Sequence, residues 1–365
     1  MRLTLSLMVA LLAAGVLAGV SSAGEITDTI KRESSVIKCT VTEETYERVA
    51  YRSVGVTGEV KQCEVIGIEW GDRSSDFIAA ETSRLRGTLD DALAKYERAL
   101  KNPLGRRFYV EPYCLYYIGI CNQRLGDLSE AEQSLLKVVN GHKKAKFFPH
   151  ANIALGEICL VRGQFTKAAE YFTVVANSVD PDTGRPIFCT DLTYRAKVGN
   201  AAALIGTKSY GKALSDLGTL IAELDAIDPG MAADARLLKA EALVKDRKVE
   251  EGTKAYAELI DKSIKAMNGG DEEARLNMLI ARCYNGLGDA HLLGNGEERQ
   301  SEALMEYLRV VAVFGPNVEF EYARALAGAA MCFDAIGQKD RAKELVGELK
   351  SSYPKYPGIE QLNIK

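Results

Sequence analysis

Two stretches and three histidines hold the residue types that could do chemistry. The first stretch is GTKSYGKA, Gly206–Ala213. Its glycines and lysine fall close to the spacing of a phosphate-cradling loop. Such a loop needs a strand before it and a Ser or Thr after the lysine to hold magnesium. Here a helical stretch precedes it, and Ala213 stands where the hydroxyl belongs. The second is DPDTGRPIFCTD, Asp180–Asp191, with acids at positions 1, 3 and 12 of a calcium-type loop. Gly184 replaces the acid at position 5 and Arg185 the glycine at position 6, so a solvated connection is expected. His142, His150 and His291 make no metal-ligand pair such as HExxH. No serine sits in a GxSxG elbow. The expectation is no catalytic residue, no cofactor, no metal, and a protein that is not an enzyme.

The eight cysteines do not form a compact framework. Cys114 and Cys121 lie seven residues apart in a predicted helix, about 10.5 Å along its axis. That exceeds the reach of a disulfide, about 7 Å between Cα atoms. Cys114, Cys121, Cys159, Cys283 and Cys332 all fall on apolar helical stretches and read as buried thiols. Cys39 and Cys63 lie in a different segment and could pair.

The N-terminus sets the context. Arg2 precedes an apolar run, Leu3 to Val20, which ends in Ser21-Ser22-Ala23. This reads as a secretory signal, residues 1–23, cut after Ala23, with an uncleaved membrane anchor as the alternative. Membrane attachment is expected only if that segment stays uncut. Cleavage removes Arg2 and no acid, so the formal charge moves from −4 to −5. Mild acidity argues against nucleic acid as a partner, because phosphate-backbone binding needs a basic surface.

The elements that must carry any site show a repeat. Small residues recur at Ala92, Ala131, Ala168, Ala213, Gly252, Ala303 and Ala342. Four residues on stand Tyr96, Leu135, Phe172, Leu217, Tyr256, Tyr307 and Val346, and three further on another apolar residue. That is one helix face, read at i, i+4 and i+7. Twelve residues before each reference lies another small residue: Ala80, Gly119, Gly156, Ala201, Ala240 and Ala330. The sixth unit carries an insertion, and its equivalent is expected at Ala281. Turn glycines are expected at Gly87, Gly126, Gly163, Gly288 and Gly337. The pattern predicts seven helical hairpins, none able to bury its apolar face alone, stacked into one core.

This pattern resembles the tetratricopeptide repeat, over about residues 74–357. Ala330, Ala342, Val346 and Pro354 fit the last unit; Gly119, Gly126 and Ala131 fit the second. The spacings of 39, 37, 45, 39, 51 and 39 exceed the usual 34. The longer repeats are most similar to bacterial cell-envelope members, although no lipobox cysteine follows the leader. The resemblance implies a mainly α fold, a right-handed solenoid over residues 73–365. It also implies a concave groove lined by the first helix of each hairpin. Carried over, the groove positions are Tyr113, Tyr116, Ile120 and Gln123, then His150, Ile153 and Glu157, then Arg195. Arg275, Met278, Arg282 and Asn285 follow, then Arg324 and Met331.

Residues 24–72 differ in composition. Val, Ile, Thr and Tyr alternate, with Ile37, Cys39 and Val41 on one face, Val49 and Tyr51 on another, and Ile66, Ile68 and Trp70 on a third. Turns are expected at Gly55 and Gly58. Four or five short strands would make a small β-rich module, an SH3-like barrel or sheet, leaning on the first repeat with Trp70 in its core or interface. The functional expectation is an exported, periplasmic or secreted scaffold. It would hold a protein or peptide segment, and the four groove arginines suggest an acidic one. The alternative is a carbohydrate- or peptidoglycan-binding module that stacks sugars on the β segment or on Tyr113, Tyr116 and Tyr117.

Overall fold

The computed structural model describes residues 27–103, 107–267, 272–294, 296–354, 356 and 358–362. The leader, residues 1–23, lies outside the described residues. The chain enters through five antiparallel strands: β1 (Asp28–Lys31), β2 (Val36–Glu44), β3 (Arg48–Ser53), β4 (Val56–Lys61) and β5 (Gly67–Glu69). Their order is β4-β3-β2-β1-β5, an open sheet rather than a closed barrel. Ile37, Cys39, Val41, Val49 and Ile68 turn inward as the alternation requires, with Val60 beside them. Ile66 does not: it precedes β5 and is exposed. Gly58 is not a turn either. It lies inside β4 opposite Tyr51, and a Cβ there would sit 2.6 Å from the tyrosine ring. Asp28, fully buried, accepts hydrogen bonds from Val41 N at 2.7 Å and Gly71 N at 2.8 Å, which ties the first strand to the last.

Fourteen α-helices follow among the described residues, paired as seven hairpins. They are α1 (Ser75–Leu85) with α2 (Leu89–Lys101), α3 (Arg107–Leu125) with α4 (Leu128–Gly141), and α5 (Phe148–Val161) with α6 (Phe165–Ala176). Next come α7 (Thr190–Gly206) with α8 (Tyr210–Leu224), and α9 (Pro229–Lys245) with α10 (Val249–Ala266). The last are α11 (Glu273–His291) with α12 (Glu297–Arg309), and α13 (Glu319–Ala335) with α14 (Lys339–Ser352). The seven reference positions from Ala92 to Ala342 are all buried on the second helix of a hairpin.

The bulky residue four places later is what joins one hairpin to the next. Phe172 of α6 is wedged between two glycines. A Cβ on Gly156 of α5 would lie 2.7 Å from its ring, and one on Gly199 of α7 would lie 2.5 Å away. Tyr307 of α12 is held in the same way by Gly288 of α11 and Gly328 of α13. Tyr256 of α10 meets Gly286 of α11. Gly199, Gly286 and Gly328 each stand two residues before the small residue of their own helix. Where the wedge is aliphatic, that place holds a larger residue: Ala154 after Leu135, Leu238 after Leu217. Tyr96 instead stacks on Tyr117, with ring centroids 5.5 Å apart.

This register corrects the sixth unit. The small residue facing Tyr307 is Gly288, not Ala281, and α11 continues to His291, so Gly288 is not a turn. The shift of seven residues is close to two helical turns and keeps the same face forward. The other turn glycines, Gly87, Gly126, Gly163 and Gly337, adopt φ of +70° to +84°. In the fourth and fifth units Lys208 and Arg247 take that left-handed place, at φ 60° and 66°.

The sheet does not lean on the first hairpin alone. Trp70 lies flat on Tyr109 of α3, with centroids 3.9 Å apart. Tyr46 packs edge-on against Phe188 at 4.9 Å, and its N–H donates to Lys144 O at 3.2 Å. Cys63 forms a disulfide with Cys189, just before α7, and not with Cys39, which stays a buried thiol. Cys63 faces the solenoid from beyond the end of β4, whereas Cys39 points into the sheet's own core. The remaining cysteines are buried and free, as their apolar settings imply.

The wedge makes a direct prediction. Gly199→Ala, far from the reference hairpin in sequence, should destabilise by about 1–3 kcal/mol through overpacking against Phe172, as should Ala168→Leu. Chemical denaturation measures both; an unchanged midpoint for Gly199→Ala would remove the wedge.

Candidate functional site

The first helices of the hairpins, α3 through α13 by alternate steps, bring the expected groove residues to one side, but not all reach solvent. Tyr113 is buried because the sheet covers it: its OH donates to Glu44 Oε1 at 3.1 Å, and Trp70 and Phe147 pack edge-on against its ring. Ile153 is buried in the core around Phe172. Asn285 is buried too, donating through Nδ2 to Glu321 Oε2 at 2.8 Å and to Glu321 O at 3.0 Å. These three are not groove surface. Tyr116, Ile120 and Met278 are half-buried, and Met331 is exposed.

The aromatic end is packed within the protein. Tyr116 lies flat on Phe147 at 4.4 Å, and Tyr117 carries Tyr96 and the Arg84 guanidinium, 4.2 Å from its ring. Phe147 thus covers one face of Tyr116, and Tyr113 is buried. His150 sits edge-on to Tyr116, with Nδ1 3.2 Å from Lys146 O. Burial first, and then the Lys146 charge, lower its pKa to about 4. Beneath the sheet Glu44 meets Lys146 at 3.5 Å, yet burial outweighs that charge and raises its carboxyl pKa.

The arginines are gathered but not free. Arg195 pairs with Glu157 at 2.6 Å, and Gln123 donates to the same carboxylate at 3.4 Å. Arg275 meets Asp234 at 3.3 Å and Glu272 at 3.7 Å. Arg282 reaches Asp234 and Glu321, each at 3.9 Å, and Arg324 pairs with Asp289 and with Glu321. A ladder of alternating charge thus crosses α9, α11 and α13. Along it, Asp234, Asp289 and Glu321 neutralise the arginines that suggested an acidic partner. Glu272 and Glu321 were open in the sequence as partners of these arginines, but Asp234 and Asp289 were missed, because each neutralises an arginine on a different helix. Arg282, Asp289 and Arg324 line a cavity of about 320 Å³ with Tyr210, Glu241 and Arg247.

The chemical-looking stretches resolve as turns. Gly206 ends α7 and Tyr210 begins α8, so no strand precedes Lys212. Asp180 spends its carboxylate on Asp182 N, Thr183 N and Thr183 Oγ1, which lowers its pKa. Among the described residues no group of His, Cys, Asp and Glu is placed to hold a metal.

Hairpin pairing, repeat register and groove define a helical-repeat protein. The chain carries tetratricopeptide repeats: the family model described as "Tetratricopeptide repeat" matches residues 113–144 and 324–356. A tetratricopeptide repeat protein from Parabacteroides merdae superposes with a TM-score of 0.55 at 16% identity, over 79% of this chain and 95% of that one. Rap protein complexed with competence and sporulation factor gives 0.53 at 12% identity, over 77% and 76%. NprR in complex with its cognate peptide NprX gives 0.51 at 13%, over 79% and 80%. No curated protein matches the sequence.

His150 yields a pH prediction. Its folded value near 4 lies below the ordinary 6.5, so across that window the unfolded chain binds more protons. Stability therefore falls as pH drops from 6.5 to 4. Glu44, with its raised carboxyl, acts in the opposite sense. His150→Gln should flatten the fall in urea midpoint over this window. An unchanged slope would mean that the imidazole titrates normally in the fold.

Proposed function

We propose that the protein is an exported, non-enzymatic scaffold that holds an extended or helical segment of another protein along the concave face. The observation that carries this is the polar ladder of α9, α11 and α13. Apart from the buried Glu321, its side chains are partly exposed to solvent and pair across neighbouring helices, and Arg282, Asp289 and Arg324 line a cavity. Such pairs contribute about 0–1 kcal/mol each and are readily exchanged for partner contacts. NprR, of the same fold, is described with a bound peptide. Because each arginine already meets a carboxylate, the groove suits a segment of mixed charge better than a purely acidic one. Export to the cell envelope is supported by the Arg2–Ala23 pattern and by the Cys63–Cys189 bond, since disulfides persist in oxidising compartments.

Photo-crosslinking in living cells tests the reading. A photoreactive residue at Met331, seven places after Arg324 on the same face, should give protein adducts. The same residue at Val174, exposed on α6, should give none. Adducts at Val174 alone would move the binding face to the second helices and contradict the groove.

A further inference from the structure

One end of the sheet faces the solenoid and the other points away from it. Glu44, Tyr46, Cys63 and Trp70 mark the docked end. The strand register defines the far end. Val36 pairs with Lys31, Lys31 pairs with Gly67, and Ile66 N donates to Lys31 O at 2.8 Å. Ser53 pairs with Val56 across the two-residue turn Val54-Gly55, and Ser53 Oγ donates to Lys38 O at 2.9 Å. All five strands therefore contribute to one distal rim, about 19 Å wide at the usual strand spacing.

That rim carries four exposed aliphatic side chains beside the polar β1–β2 turn Arg32–Ser35, where Glu33 is exposed. Val36 is 61% exposed, Val54 100%, Val56 69% and Ile66 71%. Val54 also holds φ 48°, a left-handed conformation that β-branched residues resist. Asn or Gly would fill such a turn without strain. Nothing among the described residues packs on Val54 to require a valine there. The outer face behind the rim carries Lys38 and Arg52, on adjacent strands around the Thr40–Arg52 pair. Neither side chain has an ion pair among the described residues, whereas Lys31, Arg32 and Arg48 all do. Unpaired cations behind exposed aliphatic side chains, in an acidic chain, are the arrangement that sits on an anionic bilayer surface.

We propose that the distal rim of the sheet is a membrane-docking tip: Val54, Val56, Val36 and Ile66 enter the headgroup layer of an anionic bilayer while Lys38 and Arg52 meet lipid phosphates. The solenoid then stands off the surface with its groove free. This surface is independent of the groove and of the leader.

Vesicle sedimentation tests it, with the full chain and its tip variants compared so that any contribution of Leu3–Val20 is common to all. Wild type should sediment with phosphatidylcholine–phosphatidylglycerol vesicles more than with pure phosphatidylcholine, and the excess should shrink at high salt. Lys38→Ala and Arg52→Ala should each weaken the anionic excess roughly fivefold. Val54→Asn relieves the strained turn, so it should keep or raise thermal stability while reducing vesicle binding. Equal binding by wild type and Val54→Asn, or no preference for anionic vesicles, would overturn the proposal. So would concentration-dependent self-association that Val54→Asn abolishes without any change in vesicle binding, which would assign the rim to a second copy of the chain.

Discussion

An aromatic ring seated between two glycines on different helices is the contact on which the solenoid depends. Phe172 bridges α5 and α7, and Tyr307 bridges α11 and α13. A hairpin closes by small residues meeting a large one. Where the wedge is Phe172, Tyr256 or Tyr307, the hairpin joins the next because that one also leaves room. The glycine two places before each small residue supplies the room after Phe172, Tyr256 and Tyr307. Each repeat is thus supported by its neighbours, as expected of quasi-one-dimensional folds. The alignment of first helices that this produces sets the spacing of the charge ladder.

The hairpins were legible in the sequence because Ala168 and Phe172 obey a helix period inside one unit. The inter-repeat half was not. Gly199 and Gly328 serve a ring from the preceding unit, and nothing within their own helix marks them. Gly288 was misread as a turn because an insertion displaced it from the common spacing. Lys208 and Arg247 hide a left-handed turn behind side chains that ordinarily avoid it. The Cys63–Cys189 bond spans 126 residues between segments of different structure, a separation for which spacing arguments have no force.

The groove was legible as a face and not as a surface. The tetratricopeptide resemblance implies a concave side that includes Tyr113 and Asn285, but only three-dimensional packing brings Glu44 over one and Glu321 over the other. The arginines were visible but Asp234 and Asp289 were not, since these acids belong to different helices from the arginines that they neutralise. The sheet lies over α3 and against the residues that open α5 and α7, held by Trp70, Tyr46 and the disulfide. It therefore fixes one end of the groove while presenting its own far rim to solvent.

Native-state hydrogen exchange on Phe172→Leu measures the coupling most directly. Leucine preserves an apolar filler but loses the ring that reaches from α5 to α7. The account predicts that amide protection falls in α7 as well as in α5 and α6, while the hairpin of α13 and α14 keeps its own. Loss confined to α5 and α6 would show that the hairpins are held together by something other than the wedge, and would contradict the account.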